Sequence, residues 1–318
     1  MQIKHWAPWV AAGLLAAFPL VAPLVGLDFY IGFVRRAMVF AMAAASLNFI
    51  LGFGRLAALG HAGFVGVGAY ALVALADAGF QSAWLMWAFA MAAAAAVSAL
   101  IGLIVLRTRG VYLIMSTLAF SQMLYYVAVS LRVYGGDDGY NLMERPLLGL
   151  GLDSLGEPGF YWVVLALLAG VMLLLNRATG SRFGHALTGI RDNEVRMRAM
   201  GYPVQRILLA AFVLAAAIAG LAGALLATHN AFVSPSAMHW TQSANLLVMV
   251  VIGGVGLRWG GPIGAGVWIG LEEIFKQFTD YWHLPLGLLL IGIVFLAPRG
   301  LAGIRLARKA VVGRGATA

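Results

Sequence analysis

The chain has 318 residues, of which 62% are hydrophobic and only 10% are charged. A soluble globular domain has about 25% charged residues, so this composition excludes an ordinary soluble enzyme and predicts a polytopic membrane protein. The absence of cysteine excludes a disulfide framework and any metal site built on thiolates. The formal net charge is +9, but the basic residues separate apolar runs and form no basic face of a soluble module, so nucleic-acid binding is not predicted.

Apolar runs along the whole chain predict membrane-spanning helices, because a helix needs about 20 apolar residues to cross the hydrocarbon core. The runs are 8–27, 33–51, 56–76, 83–106, 110–131, 158–175, 207–228, 243–257, 261–275 and 284–297. We interpret the first as an uncleaved span, since it is long and no small-x-small cleavage site ends it. Three runs, 56–76, 243–257 and 261–275, are short or rich in glycine, and one or two of them are expected to be broken or re-entrant. The prediction is one all-α permease domain over 1–318 with eight to ten crossings.

The distribution of charge predicts the orientation. If the spans alternate, most of the 21 lysines and arginines fall on the same side as segment 176–206, and most acidic residues fall on the other side. Arg35 and Arg36 are the exceptions. By the positive-inside rule, 176–206, the basic tail 298–318 and both termini are expected in the cytoplasm, and 132–157 in the periplasm. The tail is expected to lie near anionic lipid head groups.

The first segment of functional interest is glycine-rich and runs from Asn48 to Tyr70. Gly60, Gly63 and Gly66 recur every three residues, which gives a helix a smooth face. Such a face permits close packing of another helix, and glycine-rich breaks also expose backbone to a substrate path in transporters. Both interpretations stay open. Asn48 and His61 are expected to make interhelical hydrogen bonds in preference to binding a ligand.

A second glycine-rich segment covers 253–270 and occupies a comparable place in the second half of the chain. Its glycines include Gly253, Gly254 and Gly264. Interrupted apolar segments in both halves of a transporter point to the translocation path. We therefore hypothesise that the two glycine-rich segments face each other or line that path.

The loop 184–203 contains one apolar helical stripe, formed by Leu187, Ile190, Met197 and Met200. A stop signal at Gly201 and Pro203 ends the predicted amphipathic helix. A helix of this kind either lies on the lipid surface or docks onto a soluble partner. If it docks, the candidate coupling residues are Leu187, Ile190, Arg191, Asp192, Asn193, Glu194, Met197 and Gly201.

Several motifs of energised transport are missing from the sequence. No lysine lies in a phosphate-binding loop, so the chain is expected to bind no ATP and to carry no catalytic residue, metal or cofactor. Glu272 and Glu273 are expected at the membrane interface, which leaves few acids inside the spans. Because ion-coupled carriers usually place an acid in the pathway, this pattern favours a pore subunit that is powered by another protein.

Four motifs occur in the same order as in one transporter family: L-N-F-I-L-G-F-G…L-G-H-A-G-F-V-G-V-G-A-Y, R-G-V-Y-L-I-M-S-T-L-A-F-S-Q-M, G-G-D-D-G and G-I-R-D-N-E…A-M-G. Over nearly all of 35–305 the chain resembles the LivM-type permease of branched-chain amino acid ABC importers. The resemblance implies a bacterial inner-membrane subunit with a LivH-type permease partner, two cytoplasmic ABC ATPases that use the ATP, and a periplasmic substrate-binding protein. It also implies that the I-R-D-N-E loop is similar in role to the coupling helix that fits a cleft in the ATPase.

The chain departs from the usual family pattern at Arg55 and Ala58, where Gly and Ser are common, and at Met197, where a small residue is common. Relatives that transport urea, short-chain amides or other organic acids leave the substrate open. Two different classes also remain as alternatives: a stand-alone facilitator or secondary carrier, and a structural membrane scaffold.

Overall fold

The computed structural model describes residues 13, 15–19, 28–142, 145–149, 156–278, 281, 283–296 and 300–303. The predicted run 8–27 lies mostly outside these residues. The helices in chain order are α1 Asp28–Asn48, α2 His61–Asp77, α3 Ala83–Val105, α4 Val111–Ser130, α5 Gly156–Gly180, α6 Arg182–Asp192, α7 Glu194–Ala199, α8 Val204–Asn230, α9 Trp240–Gly253, α10 Gly260–Phe278 and α11 His283–Leu296. The short strands β1 (Tyr140–Asn141) and β2 (Phe232–Val233) pair antiparallel.

The all-α membrane fold is confirmed. In the described part of the chain, the helices long and apolar enough to cross a bilayer are Tyr30–Phe53, Ala83–Val105, Val111–Ser130, Pro158–Gly180 and Val204–Asn230. Shorter apolar helices cover His61–Asp77, Trp240–Gly253 and His283–Ile293. Each of these helices overlaps a predicted apolar run, because about 20 apolar residues in succession leave the backbone no other way to satisfy its hydrogen bonds in lipid.

Helix α8 lies at the centre and packs against α1, α2 and α3. Glycine residues allow α8 to approach α2 closely. A Cβ atom on Gly68 would lie 2.0 Å from the carbonyl oxygen of Gly220, and one on Gly223 would lie 1.8 Å from the carbonyl oxygen of Val65. The two backbones are therefore in contact, as in other membrane helix pairs that pack through small residues.

Two of the three glycine-rich or short runs form short helices, one in each half, and the third forms the continuous helix α10. Helix α1 continues into a π-helix over Phe49–Phe53, an irregular stretch follows, and α2 begins only at His61. With 17 residues, α2 is about 25 Å long, and α9 with 14 residues is about 21 Å long. Both are shorter than the hydrocarbon core of about 30 Å. Irregular backbone next to these helices is tolerated where it is buried in protein or lines a cavity.

The connections gather at two ends of the helices, as the predicted alternation requires. At one end, Arg109 between α3 and α4 forms an ion pair with Glu194 of α7, and Asn48 contacts Gly256 between α9 and α10. At the other end, the connection before α5 pairs with the connection after α8 through β1 and β2. Segment 176–206 and the described residues of 132–157 thus lie at opposite ends. Their assignment to cytoplasm and periplasm stays a prediction.

Candidate functional site

A cavity of about 520 Å³ lies between α1, α2, α8 and the segment from β2 to the middle of α9. Its polar lining consists of Arg36, His229, Asn230, Ser234, Ser236 and Gln242. Its apolar lining includes Val39, Phe40, Ala43, Ala62, Val65, Ala69, Leu226 and Leu246. A cavity of this size and mixed lining is typical of small-molecule sites, which range from about 300 to 1,000 Å³.

The polar wall of the cavity contains Arg36, one of two neighbouring arginines that break the charge pattern of the sequence. The guanidinium of Arg36 reaches Glu272 of α10, with Nη2 3.4 Å from Oε1. The same oxygen lies 2.5 Å from Nζ of Lys276. The other arginine, Arg35, is buried, donates from Nε to Nδ1 of His229 at 2.9 Å, and stacks over the ring of Phe160. These contacts hold both arginine side chains against neighbouring helices of the protein.

Glu272 is only 9% exposed, and its carboxylate contacts Arg36 of α1 and Lys276 of α10. Its expected position at the membrane interface stays a prediction. Position in the sequence near the end of an apolar run does not tell whether a neighbouring helix covers the side chain. The neighbouring Glu273 is half-buried.

The glycines of the first glycine-rich segment pack against helices and do not line the cavity. A Cβ on Gly60 would lie 2.2 Å from the carbonyl oxygen of Thr117 in α4, and Gly63 faces Ser121 of the same helix. Gly66 faces the side chain of Met238. These contacts favour the packing interpretation, and a role of these glycines in transport stays a prediction.

The other face of α2 provides the cavity lining, through Ala62, Val65 and Ala69. His61 is fully buried, and its Nε2 lies 2.8 Å from Oγ of Ser46, an interhelical contact of the kind expected. The backbone N–H of Ala62 donates to Oγ of Ser243 at 3.0 Å, which ties the start of α2 to α9. The three-residue spacing of the glycines indicated that α2 has a smooth face, but it did not indicate which face of α2 lines the cavity.

The second glycine-rich segment is held by Asn48. The side-chain amide of Asn48 donates to the carbonyl oxygen of Leu257 at 2.7 Å and its oxygen accepts from the N–H of Gly256 at 2.8 Å. A Cβ on Gly52 would lie 2.3 Å from the Cα of Gly256. The second segment thus meets the beginning of the first segment, at Asn48 and Gly52, and not its Gly60–Gly68 part. That the two segments line the translocation path stays a prediction.

Three further glycines of this segment make close contacts inside the α9–α10 hairpin. A Cβ on Gly253 would lie 1.7 Å from the carbonyl oxygen of Gly260, and one on Gly264 would lie 1.7 Å from that of Met249. Gly254 has a φ of +111° and lies next to Gly300. They allow α9 and α10 to turn back on each other closely, and they line none of the cavity.

The loop helix α6 rests on the π-helix. Nη1 of Arg191 donates to the carbonyl oxygen of Gly52 at 3.0 Å. The buried side chain of Leu187 contacts the same turn, since a Cβ on Gly54 would lie 3.3 Å from its Cδ1 atom. A π-helix displaces the regular hydrogen-bond pattern of the backbone. The carbonyl of Gly52 accepts its bond from Arg191 of the loop helix.

The apolar stripe of the loop points into the chain itself. Leu187, Ile190 and Met197 are all buried, and Met197 covers Gly189. The sequence pattern predicts these side chains to be exposed on a docking or lipid face, and that prediction is wrong for the three of them. Their burial is explained by the apolar contact that α6 makes with the π-helix and α8.

The predicted single helix is also divided in two. Asn193 leaves the helical conformation, and its side-chain oxygen caps α7 by accepting from the N–H of Arg196 at 2.9 Å. Asp192 pairs with Arg191 at 2.9 Å. The chain leaves α7 through Gly201, whose φ of +82° suits a residue without a Cβ atom.

Glu194 joins two parts of this end of the protein. Its Oε1 lies 2.6 Å from Nη2 of Arg109 and 2.8 Å from Nη2 of Arg198. The first contact ties α7 to the α3–α4 connection, and the second lies along the same turn of helix.

The outward face of the loop is formed by different side chains. Val195, Met200 and Tyr202 are 78%, 58% and 44% exposed. Val195 and Tyr202 were missed because they lie outside the apolar stripe. The signal that could have identified Val195 is its position among charged residues, between Glu194 and Arg196, where an apolar side chain does not continue the buried face.

Comparisons with known proteins agree with the fold. A family model described as "Branched-chain amino acid transport system / permease component" matches residues 29–297. The chain is 30% identical over 287 residues to the high-affinity branched-chain amino acid transport system permease protein LivM of Escherichia coli, which covers 83% of this chain and 68% of that protein. The same protein of Salmonella typhimurium is 30% identical over 288 residues, with the same coverage.

A more distant relative has another described cargo. The autoinducer 2 import system permease protein LsrC of Klebsiella pneumoniae is 29% identical over 163 residues, or 46% of each chain. No solved structure matches the chain. The family match and the LivM relatives confirm the resemblance inferred from the motifs, and the chain belongs to the family of permease components of branched-chain amino acid transport systems.

Proposed function

We propose that this chain is a permease subunit of an ATP-driven importer of branched-chain or related hydrophobic amino acids in a bacterial inner membrane. It forms the translocation path together with a paralogous LivH-type permease. Two cytoplasmic ABC ATPases hydrolyse the ATP, and a periplasmic binding protein delivers the substrate. The LivM relatives support the substrate class, since their names describe branched-chain amino acid transport.

The observation that carries this proposal is the position of α1. At one end of the helix, Arg36, Val39 and Ala43 line the cavity. At the other end, the π-helix that continues α1 accepts the hydrogen bond of Arg191 through Gly52. One continuous helix therefore links the cavity to the loop helix α6. A displacement of α6 by an ATPase would move the cavity wall directly.

The surface that meets the ATPase is the outward face of α7 and the turn after it. Val195, Met200 and Tyr202 supply exposed apolar area there, and Arg196 and Arg198 surround it with positive charge. Apolar side chains with a charged rim are the usual composition of a protein interface. The buried stripe of Leu187 and Ile190 transmits the force inward, because it packs on the π-helix.

The test is reconstitution of this chain with its permease partner, both ATPases and the binding protein in proteoliposomes. We expect uptake of radiolabelled L-leucine that requires ATP and stops when the ATPases carry an inactivating substitution of the catalytic glutamate. Competition with urea and acetamide separates the amide importer from the amino-acid importer. Leucine uptake that persists without the ATPases would contradict the proposal and identify a facilitator.

One observation keeps a secondary carrier as the second candidate: the buried carboxylate of Glu272 beside the cavity. Acids in such positions relay protons in ion-coupled carriers. Its contacts with Arg36 and Lys276 are those of a structural ion pair, which favours the importer. A pH gradient imposed on liposomes that contain only the permease pair separates the two, since only a carrier would accumulate leucine there.

A further inference from the structure

We propose that Arg36 is the carboxylate-binding residue of the cavity, and that the cavity takes small carboxylic acids with an aliphatic side chain. This inference rests on the proposed import function only in placing the cavity on the substrate path. Family membership alone does not tell which side chain recognises the carboxylate of a ligand.

The geometry of Arg36 leaves donors for a ligand. A guanidinium carries five N–H donors in a planar fork that matches the two oxygens of a carboxylate. Within the described part of the chain, Arg36 contacts one acid, from Nη2 to Glu272, and at 3.4 Å this contact is at the long end for a charged hydrogen bond. The carboxylate of Glu272 is held much closer by Lys276, at 2.5 Å. The side chain of Arg36 is 36% exposed and lines the cavity.

The remaining lining fits the rest of such a ligand. Arg36 lies at the same end of the cavity as His229 and Asn230, which close α8. The lining also includes apolar side chains, among them Val39, Phe40 and Ala43 of α1 and Leu226 of α8. A ligand with a carboxylate for Arg36 and an aliphatic group for these apolar side chains matches the mixed lining. Urea lacks both groups, and short-chain amides lack the carboxylate.

The competing interpretation is that Arg36 only neutralises Glu272. The two interpretations differ in the effect of removing Glu272. If the ion pair matters for structure alone, Glu272→Gln does at least as much damage as Arg36→Gln, because it removes the carboxylate from both Arg36 and Lys276. If Arg36 binds a carboxylate, Glu272→Gln removes a competitor for its donors, and ligand binding is retained or strengthened.

The experiment uses the absence of cysteine in this chain. Gln242→Cys places a single thiol on the cavity wall, and its rate of labelling by a maleimide is measured in the permease pair. L-leucine, 4-methylpentanoate and leucinamide serve as protecting ligands. The second ligand keeps the carboxylate without the amine, and the third keeps the amine without the carboxylate. Arg132→Gln is the matched control, since Arg132 is exposed near the same end and does not line the cavity.

We expect L-leucine and 4-methylpentanoate to slow labelling about tenfold at roughly ten times their dissociation constant, and leucinamide to have no effect. Protection is expected to disappear in Arg36→Gln and to persist in Arg132→Gln and Glu272→Gln. Four results would each overturn the inference. They are equal protection by leucinamide, unchanged protection in Arg36→Gln, a loss of protection in Glu272→Gln as large as in Arg36→Gln or larger, and no protection of the parent protein. Labelling requires neither ATPase nor binding protein, so ATP-dependent uptake without protection would refute the role of Arg36 and leave the importer intact.

Discussion

Arg191 and Gly52, which are 139 positions apart in the sequence, are joined by a hydrogen bond of 3.0 Å from Nη1 to the carbonyl oxygen. Arg191 belongs to the loop helix α6, and Gly52 belongs to the π-helix that extends α1. Nε of the same guanidinium contacts Asp192 at 2.9 Å. The contact is therefore a direct polar link between the loop and α1, one of the helices that line the cavity.

Replacing Arg191 with Met is expected to uncouple ATP hydrolysis from transport. A hydrogen bond to a charged group contributes about 1.5–3 kcal/mol, so its loss is expected to lower uptake roughly tenfold or more. Methionine keeps the apolar stem, and the complex should still assemble and hydrolyse ATP. Uptake and ATPase rates are measured on the same proteoliposomes. Asp192→Asn, at the exposed partner of Arg191, is the control, and unchanged uptake in Arg191→Met would contradict the link.

The two faces of the loop are expected to respond differently to a charge. Ile190 is buried, so Ile190→Asp should destabilise the chain by about 3 kcal/mol or more. Val195 is 78% exposed, so Val195→Asp should change stability by less than about 0.5 kcal/mol and weaken binding of the ATPase instead. Thermal unfolding in detergent and co-purification of the ATPase measure the two effects. A stable Ile190→Asp protein that fails only to bind the ATPase would show that the stripe faces outward.

The orientation is expected to follow the charge distribution. Single cysteines at Val195 and Asp138 lie at opposite ends of the helices, and both positions are exposed. In cells with a permeabilised outer membrane, an impermeant maleimide should label position 138 and leave position 195 unmodified. Labelling of position 195 in cells with an intact inner membrane would reverse the assignment of cytoplasm and periplasm.

The spans could be predicted from the sequence because a long apolar run in a chain with few charges has only one stable structure in lipid. The short helices in 56–76 and 243–257 agree with the glycine content and short length of these runs. The direction of the apolar stripe at Leu187 and Ile190 could not be predicted, since periodicity shows that a helix has an apolar face and not what covers it. The stripe is covered by the π-helix, which lies far away in the sequence, and by α8, which begins at Val204.

The cavity could not be predicted from the sequence either. Its lining comes from α1, α2, α8 and α9, and only their relative rotation brings Arg36, Val65 and Gln242 together. The one available signal was electrostatic: Arg35 and Arg36 were the exceptions to the charge rule. Charged residues inside a membrane domain mark either an ion pair or a site. Arg35 proved to be buried against His229, and Arg36 lies on the cavity.

The last prediction concerns the backbone at Arg55. Arg55 has a φ of +54°, a left-handed conformation that costs a residue with a Cβ atom about 1 kcal/mol or more. Its side chain is exposed just after the π-helix. Arg55→Gly is expected to remove this strain, and the entropy that glycine adds to the unfolded chain offsets part of the gain.

Arg55→Ala is the matched control, because alanine removes the same side chain and keeps the Cβ atom. We expect Arg55→Gly to exceed Arg55→Ala in free energy of unfolding by up to about 1 kcal/mol, measured from thermal or denaturant unfolding in detergent. An Arg55→Gly variant less stable than Arg55→Ala would show that the left-handed turn is not strained.

Gly201→Ala tests the reverse change. Gly201 has a φ of +82°, and a Cβ atom added there would have no described atom within 4 Å, so only backbone strain opposes alanine. The free energy of unfolding of Gly201→Ala should be lower than that of the parent by about 1 kcal/mol.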